Sequence, residues 1–226
     1  MFSLPQSTEP PSQVPIVDVS EPSDILQLFI QHLYPRAPPE VSDLAMWADL
    51  YTVADKYNTE VVTDSLRNML IPWFLEECPM RVYALASHWG FEEEAKIASR
   101  GILTMDISKG FPEEEARFMG SVACQKLYLL HIQRRNKARA LVNDRIYQFS
   151  DGRNCSCPPM DFNAVIQALS QRVSTTPWLT AEELYEEAAG MNNSRMCAST
   201  CRNSFKNVHR WMSLILREIS QLPQTI

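Results

Sequence analysis

A helical stretch at residues 41–103 decides the fold, and it opens with LAMWADLYTVA at residues 44–54. Apolar side chains recur there at intervals of three and four residues, which places them on one face of an α-helix: Leu44, Trp47, Leu50, Tyr51 and Ala54. Asn58 follows closely, and asparagine tolerates the left-handed backbone that ends a helix. The pattern therefore predicts an amphipathic helix that ends near residues 56–58.

Three more helices are predicted in the same stretch, with short connections between them. We expect Pro72 to end the second helix or to begin the next, because proline lacks the amide that a helix interior needs. The second helix carries Val62, Leu66, Met69 and Leu70, and the third carries Val82, Tyr83, Leu85, Ala86 and Trp89 and stops at Gly90. The fourth follows Phe91 with Glu92, Glu93 and Glu94 in its first turn, where the helix dipole favours acid. Its apolar set is Ala95, Ile97, Ala98, Ile102 and Leu103.

The residues before this stretch divide into a loop, a strand and a helix. Residues 1–14 hold three prolines among Ser, Thr, Gln and Glu, which predicts an exposed loop. Residues 15–19, PIVDV, predict a short strand, and the chain is expected to contain one or two strands in all. A helix follows from about residue 21, with Pro22 tolerated in its first turn and Pro35 at its end. Its apolar residues are Ile25, Leu28, Phe29 and Leu33.

These segments carry a resemblance to a known family. Residues 54–58, ADKYN, and residues 82–92, VYALASHWGFE, resemble the second half of a BTB/POZ domain, in the versions found in fungal proteins. The strand at residues 15–19 and the helix ending in Leu33-Tyr34-Pro35 resemble the preceding part of that domain. In the family, further strands and helices precede that strand, and this chain begins too late to contain them. We therefore expect a BTB/POZ domain that lacks its N-terminal part.

The resemblance also implies a function. BTB/POZ domains dimerise and present helices to partner proteins, among them cullin-type ubiquitin ligases and transcriptional co-regulators. We therefore expect a protein interaction module, that is, an adaptor or scaffold without enzymatic activity. It would bind a partner protein or form a homo-oligomer, and the resemblance leaves both open. The expected organisation is mainly α: a flexible loop at 1–14, a partial BTB/POZ-like domain at 15–105 and a helical C-terminal region at 106–226.

The C-terminal region is predicted to consist of helices after a breaker-rich boundary. Gly110, Pro112 and Gly120 surround an acidic turn at residues 113–115, which places the domain boundary there. Helices are predicted at 121–149, at 162–173 and at 180–190, where Thr180 and Glu183 form a capping box, and residues 151–160 are predicted to be a loop. The last helix carries a seam with steps of three and four that is expected to pack on the helices at 121–149 and 162–173: Cys201, Phe205, Val208, Met212, Ile215, Ile219 and Leu222.

Composition excludes several classes of protein. The chain has 226 residues, an apolar fraction of 45% and a net charge of -6, which are typical of a globular protein with its own core. Residues 1–105 carry a charge of -9 and residues 106–226 a charge of +3, too little for a nucleic-acid-binding domain. No run of about 18 apolar residues occurs, so no membrane-spanning helix is predicted. No signal peptide is recognised, and the expected location is the cytoplasm or the nucleus.

One basic cluster needs two interpretations. Arg134, Arg135, Lys137 and Arg139 fall in the middle of the helix at 121–149. They could form a basic helix that docks on an acidic partner or on nucleic acid. The favoured interpretation is a solvated helix face, because short charge blocks are common on long helices.

Four cysteines support an alternative function. Cys155, Cys157, Cys197 and Cys201 could close a tetrahedral zinc site, with His209 as a substitute ligand. The chain would then be a zinc-binding or nucleic-acid-associated regulator that uses its C-terminal segment. The spacings Cys-x-Cys and Cys-x-x-x-Cys fit poorly, since the usual zinc knuckle separates its cysteines by two residues. Cys201 is instead expected in the core, and no metal or cofactor is predicted.

Catalytic patterns are not recognised. His32, His88, His131 and His209 lie in separate predicted helices, and none is near a nucleophile motif. Cys78 and Cys124 are interpreted as ordinary thiols, and the acidic pairs at 182–183 and 186–187 as a solvated helix face. With six glycines, the chain offers little material for a phosphate-binding loop. The sequence therefore predicts no enzyme.

Overall fold

A computed structural model of the protein describes residues 18–34, 39–146, 162–178, 180 and 201–226. These residues are mainly α-helical, as the sequence predicts, and no strand occurs among them. The described helices are α1 (Ser23–Leu33), α2 (Leu44–Lys56), α3 (Glu60–Phe74), α4 (Pro79–His88), α5 (Glu92–Ile102), α6 (Glu113–Ile146), α7 (Phe162–Thr175) and α8 (Cys201–Ser220). Most of the predicted strand at 15–19, the loops at 1–14 and 151–160 and the helix at 180–190 lie outside the described residues.

The chain divides into two compact units, which we call the N-terminal unit, up to Leu66, and the C-terminal unit, from Arg67 onward. In the N-terminal unit, α1 packs on α2. The side chain of Asp43 caps α2 by accepting a hydrogen bond of 2.8 Å from the amide of Met46. Trp47 is fully buried, and its indole Nε1 donates a hydrogen bond of 2.9 Å to the carbonyl of Leu66. Residues 44–54 therefore form the core-facing helix that their amphipathic pattern predicts.

Two predicted helix ends are confirmed by their backbone geometry. Asn58 has a φ of +52°, the left-handed conformation expected of an asparagine that closes a helix. Gly90 has a φ of +74° after α4, and the amide of Phe91 donates a hydrogen bond of 2.8 Å back to the carbonyl of Ala86. This bond is the Schellman closure, which satisfies a carbonyl that the helix end leaves open. The connection from α4 to α5 is therefore fixed by one glycine.

Two predicted boundaries are wrong. Pro72 lies inside α3, two residues before its end, and does not end it. The proline removes a single hydrogen bond, and the helix still closes with the amide of Leu75 on the carbonyl of Ile71 at 3.3 Å. The acidic residues at 113–115 are the first turn of α6 and not a separate turn. Gly120 interrupts α6 with a φ of +68°, so the helix predicted from residue 121 continues a shorter helix across a kink.

In the C-terminal unit, α4 packs on both α5 and α6. The buried Tyr83 of α4 donates a hydrogen bond of 2.9 Å from its hydroxyl to the carbonyl of Ala123 in α6. Arg67 binds Glu94 of α5 through two hydrogen bonds, of 2.7 and 2.9 Å, and its guanidinium lies 4.6 Å from the centre of the Phe91 ring. These contacts hold the start of α5 in place.

The seam predicted in the last helix lies in the core of the C-terminal unit. One buried cluster joins α6, α7 and α8: Ala138, Val142, Leu169, Val173, Trp211, Met212, Ile215 and Ile219. The expected packing of the seam on the two preceding helices is therefore confirmed for its described part, from Met212 onward. Burying such apolar side chains stabilises a fold by about 1.5 to 3 kcal/mol each.

Two apolar residues of the predicted helices are exposed. Ile97 is 46% exposed, because it comes two residues after Ala95 and so lies on the opposite side of α5 from the buried Ala95, Ala98 and Ile102. Leu33 of α1 is 49% exposed although Ile25 and Phe29 are buried. Each step of four residues advances about 40° around a helix, so the series from Ile25 to Leu33 rotates away from the core.

Candidate interaction surface

Helix α1 carries apolar residues on two adjacent faces. One face is buried and holds Ile25 and Phe29. The other holds Ile30 and Leu33, three residues apart, and the following Tyr34, which are 44%, 49% and 62% exposed. We call these three residues the α1 stripe. Scattered apolar residues are normal on a protein surface, but adjacent ones on a single helix face mark a surface that can bind another protein.

The start of α1 is fixed to the end of α2 by one carboxylate. Glu21 accepts a very short hydrogen bond from Nζ of Lys56 and one of 3.0 Å from the hydroxyl of Tyr57. The hydrogen bond from Lys56 lowers the pKa of Glu21 to about 2, while the same contacts raise the pKa values of Lys56 and Tyr57. The ring of Tyr57 also stacks on Phe29 with ring centres 5.5 Å apart. The α1 stripe therefore sits on a helix that is held at its N-terminal end.

The segment that carries the α1 stripe is strongly acidic. Residues 1–66 contain ten acidic and two basic side chains. Of the two basic residues, Lys56 is already paired with Glu21. Several acidic side chains of α1, α2 and the start of α3 are exposed: Asp24, Asp49, Asp55, Glu60 and Asp64. The charge around the stripe therefore attracts basic groups and repels a second acidic surface.

The described histidines do not converge on a common site. His32 is buried, and its Nδ1 lies 2.8 Å from the carbonyl of Leu28. His88 is exposed, with its ring edge-on to those of Trp89 and Phe118. His131 is buried in α6, and the side chain of His209 lies outside the described part of the chain. Each described histidine therefore has its own environment.

Both sequence interpretations of the basic cluster in α6 are wrong for Arg134. Lys137 and Arg139 are exposed, as a solvated face would require. Arg135 is half-buried, and Arg134 is 0% exposed. Its guanidinium donates four hydrogen bonds of 2.8 to 2.9 Å to backbone carbonyls: those of Pro177, Ile219, Leu222 and Pro223. Arg134 therefore ties α6 to the segment after α7 and to the end of α8.

The charge of Arg134 is stabilised without an acidic partner among the described residues. The carbonyls at the end of α8 carry the negative pole of that helix, which favours a cation there. The ring of Trp178 lies 5.0 Å from the Arg134 guanidinium and 5.9 Å from that of Arg100. Burial and, to a smaller extent, the charge of Arg100 lower the pKa of Arg134 to about 10. At neutral pH the side chain remains charged.

The zinc hypothesis concerns residues that the structure does not describe. Cys155, Cys157 and Cys197 lie outside the described residues, and of Cys201 only the backbone is described, as the first residue of α8. Cys78 is an exposed free thiol and Cys124 a half-buried one. Within the described part of the chain, no group of three or more His, Cys, Asp or Glu side chains is placed to hold a metal ion.

A cavity of about 300 Å³ opens between α4, α5 and α6 in the C-terminal unit. Apolar side chains line most of it, among them Phe91, Met119 and Val122. Lys96 and Lys126 also line it, and Lys96 is paired with Glu93 at 2.8 Å. Ile226 reaches the same cavity, with its amide 3.4 Å from the hydroxyl of Ser99. The end of the described chain therefore occupies part of this opening.

Comparison of the chain with protein-family models, with curated proteins and with solved structures found no match in any of the three. The resemblance to BTB/POZ domains therefore stays a prediction from the residues quoted above. None of the described helices combines the length and the hydropathy that crossing a membrane requires.

Proposed function

We propose that the protein is an interaction module, an adaptor or scaffold, and that the α1 stripe is the surface by which it binds a partner protein. The observation that carries this proposal is the exposure of Ile30 and Leu33 on a helix whose other apolar face is buried, with the exposed Tyr34 directly after the helix. Binding at such a surface needs complementary shape and apolar contact rather than a reactive group. The resemblance of residues 1–105 to BTB/POZ domains supports the same role.

The charge of the N-terminal segment specifies the partner's chemistry. With ten acidic against two basic side chains in residues 1–66, the stripe lies in a negative field. The partner is therefore an amphipathic segment with apolar residues at helical spacing and lysine or arginine beside them. A second copy of this chain is the poorer occupant, since it would bring an equally acidic surface against the first.

Selection from a random peptide library displayed against the full chain tests this proposal. The expected peptides combine apolar residues at spacings of three and four with a net positive charge. Their affinity is expected to fall at least tenfold for the double variant Ile30→Gln and Leu33→Gln, in which glutamine preserves helix propensity. Higher salt is expected to weaken binding, because exposed charges are screened.

The matched control is Ile97→Gln on α5. Ile97 is 46% exposed and Ile30 is 44% exposed, so the same substitution removes a similar apolar surface from a different helix. We expect this variant to bind the selected peptides with unchanged affinity. Selected peptides that are acidic, or that lose affinity equally in the control, contradict the proposal.

A further inference from the structure

A second, smaller cavity lies at the middle of α6 in the C-terminal unit. It has a volume of about 110 Å³ and is lined by residues of three segments: the turn after α5, α6 itself and the end of α7. His131, Arg135 and Tyr128 line it from α6. The volume exceeds that of a single water site several-fold, so the cavity is large enough for a small polyatomic ion.

The ring of His131 leaves one polar atom in this region without a partner. The side chain is 5% exposed, and among the described residues Nε2 is buried without a hydrogen bond. Buried polar atoms in folded proteins are hydrogen-bonded in the great majority of cases, because an unsatisfied one costs free energy. The cavity beside His131 is therefore where a bound group would supply the missing partner.

The charges around His131 are predominantly positive. Arg135 lines the cavity, and its one hydrogen bond among the described residues is a long one, of 3.4 Å, to the carbonyl of Ser174. Arg134 immediately precedes Arg135 in the helix. Asp106, whose carboxylate accepts a hydrogen bond of 2.9 Å from the amide of Ser108, opposes these two positive charges with one negative charge. The cavity therefore offers donors and a free positive charge to a ligand that brings acceptors.

We propose that this cavity binds a small oxyanion, of the size of sulfate, phosphate or a carboxylate group. The ring N–H of His131, the guanidinium of Arg135 and the hydroxyl of Tyr128 are the groups that donate to it. Arginine and histidine donors around a partly enclosed cavity are the usual chemistry of oxyanion binding in proteins. The ion is a free ligand or a group on a larger molecule, since Tyr128 is 50% exposed at the cavity wall.

Anion binding and protonation of His131 are linked. Burial, together with the smaller effects of the Arg135 and Arg134 charges and against that of Asp106, lowers the pKa of His131 to about 4. A bound anion would oppose the two arginines, so it would raise this pKa. Binding should then become tighter as the pH falls, because the protonated ring carries a charge that favours the anion.

Titration of the full chain with sulfate, followed by the ring proton signal of His131 in NMR spectra, tests the proposal. Sulfate does not titrate in this pH range, so any pH dependence comes from the protein. The expected result is a saturable shift and a raised His131 pKa, with affinity at least fivefold weaker in Arg135→Gln and Tyr128→Phe. His131→Gln assigns the signal, and phosphate and acetate in parallel titrations identify the preferred oxyanion.

The control variant is Arg139→Gln, which removes the same charge one turn along the helix at an exposed position. Unchanged affinity in this variant supports a specific site. A shift that does not saturate, or equal weakening in Arg135→Gln and Arg139→Gln, shows general attraction of anions to α6 and overturns the proposal. A His131 signal unaffected by all three anions overturns it as well.

Discussion

Nη2 of Arg134 donates a hydrogen bond of 2.8 Å to the backbone carbonyl of Ile219, in the last turn of α8. The two residues are 85 positions apart, and both are buried. The carbonyls at a helix end have no partner within the helix, so a cation placed against them both completes their hydrogen bonds and neutralises the helix dipole. Arg134 thus provides a cap for a helix that begins 67 residues after it in the sequence.

Arg134→Met is expected to destabilise the C-terminal unit by about 3 to 5 kcal/mol, because it removes the partner of four carbonyls, two of them in buried hydrogen bonds. Arg134→Lys should also destabilise, since an ammonium group cannot reproduce the planar set of donors. Urea denaturation followed by tryptophan fluorescence measures both effects.

Arg139→Met is the matched control for this prediction, since Arg139 is exposed on the same helix. It should change the free energy of unfolding by less than about 0.5 kcal/mol. If the two methionine variants lowered the free energy of unfolding equally, the cap formed by Arg134 would make no specific contribution to stability.

The sequence does contain a signal for the buried arginine. Leu127, Leu130 and Ala138 follow the apolar stripe of α6, and Arg134 lies four residues after Leu130 and four before Ala138, so it occupies the same stripe. The charged residues next to Arg134 make its place in the apolar stripe hard to recognise from the sequence. Its partners could not be predicted, because the carbonyls of Pro177 and Ile219 come from chain segments whose placement depends on the tertiary fold.

Helix positions were more predictable than helix boundaries. The spacing of Leu44, Trp47 and Leu50 and the conformational preferences of Asn58 and Gly90 depend on local physics, and the structure agrees with both. Pro72 is an exception, because packing retains a helix across a residue that disfavours it locally. Gly120 does interrupt the helical backbone, but residues 113–115 before it are helical and not a separate turn. The α1 stripe could not be predicted, since periodicity alone does not show which of two adjacent apolar faces meets the core.

The buried His131 predicts a loss of stability in mild acid. Its pKa is lowered from 6.5 to about 4 in the folded protein, so between these values the unfolded chain binds more protons. Stability should therefore fall as the pH decreases from about 6.5 towards 4, by at most about 3 kcal/mol from this group. Urea denaturation at successive pH values measures the slope.

His131→Gln should flatten this pH dependence, because glutamine does not titrate. His88→Gln, at an exposed position on α4, provides the comparison and should leave the slope as in the unsubstituted protein. If the His131 variant retained the full slope, other groups would be responsible for it.

Glu21 predicts a second effect of acid, on the N-terminal end of α1. Since its pKa is lowered from 4.5 to about 2, its contribution to stability is complete above about pH 4.5 and is lost as the pH falls towards 2. Glu21→Gln should mimic this loss at neutral pH and accelerate amide hydrogen exchange in the first turns of α1. Glu40→Gln, at an exposed position, should not. Equal exchange rates in both variants would show that the contacts of Lys56 and Tyr57 do not hold this end.

The indole of Trp47 predicts a measurable hydrogen-bond effect in the N-terminal unit. Trp47→Phe removes the donor of the buried hydrogen bond to the carbonyl of Leu66. The expected loss of stability is about 1 to 3 kcal/mol. Trp73→Phe, at a residue 46% exposed, should have a much smaller effect in the same denaturation measurement. A smaller loss at Trp47 than at Trp73 would contradict the importance of this bond.

The proposed binding by the α1 stripe is tested most directly by site-specific photo-crosslinking in cells. A photoreactive amino acid is placed at Leu33, and at Gln31 as a control on a polar face of the same helix. We expect a discrete adduct from position 33 with a different protein, through a basic amphipathic segment identified by mass spectrometry, and none from position 31. An adduct between two copies of this chain, or the same adducts from both positions, would contradict it.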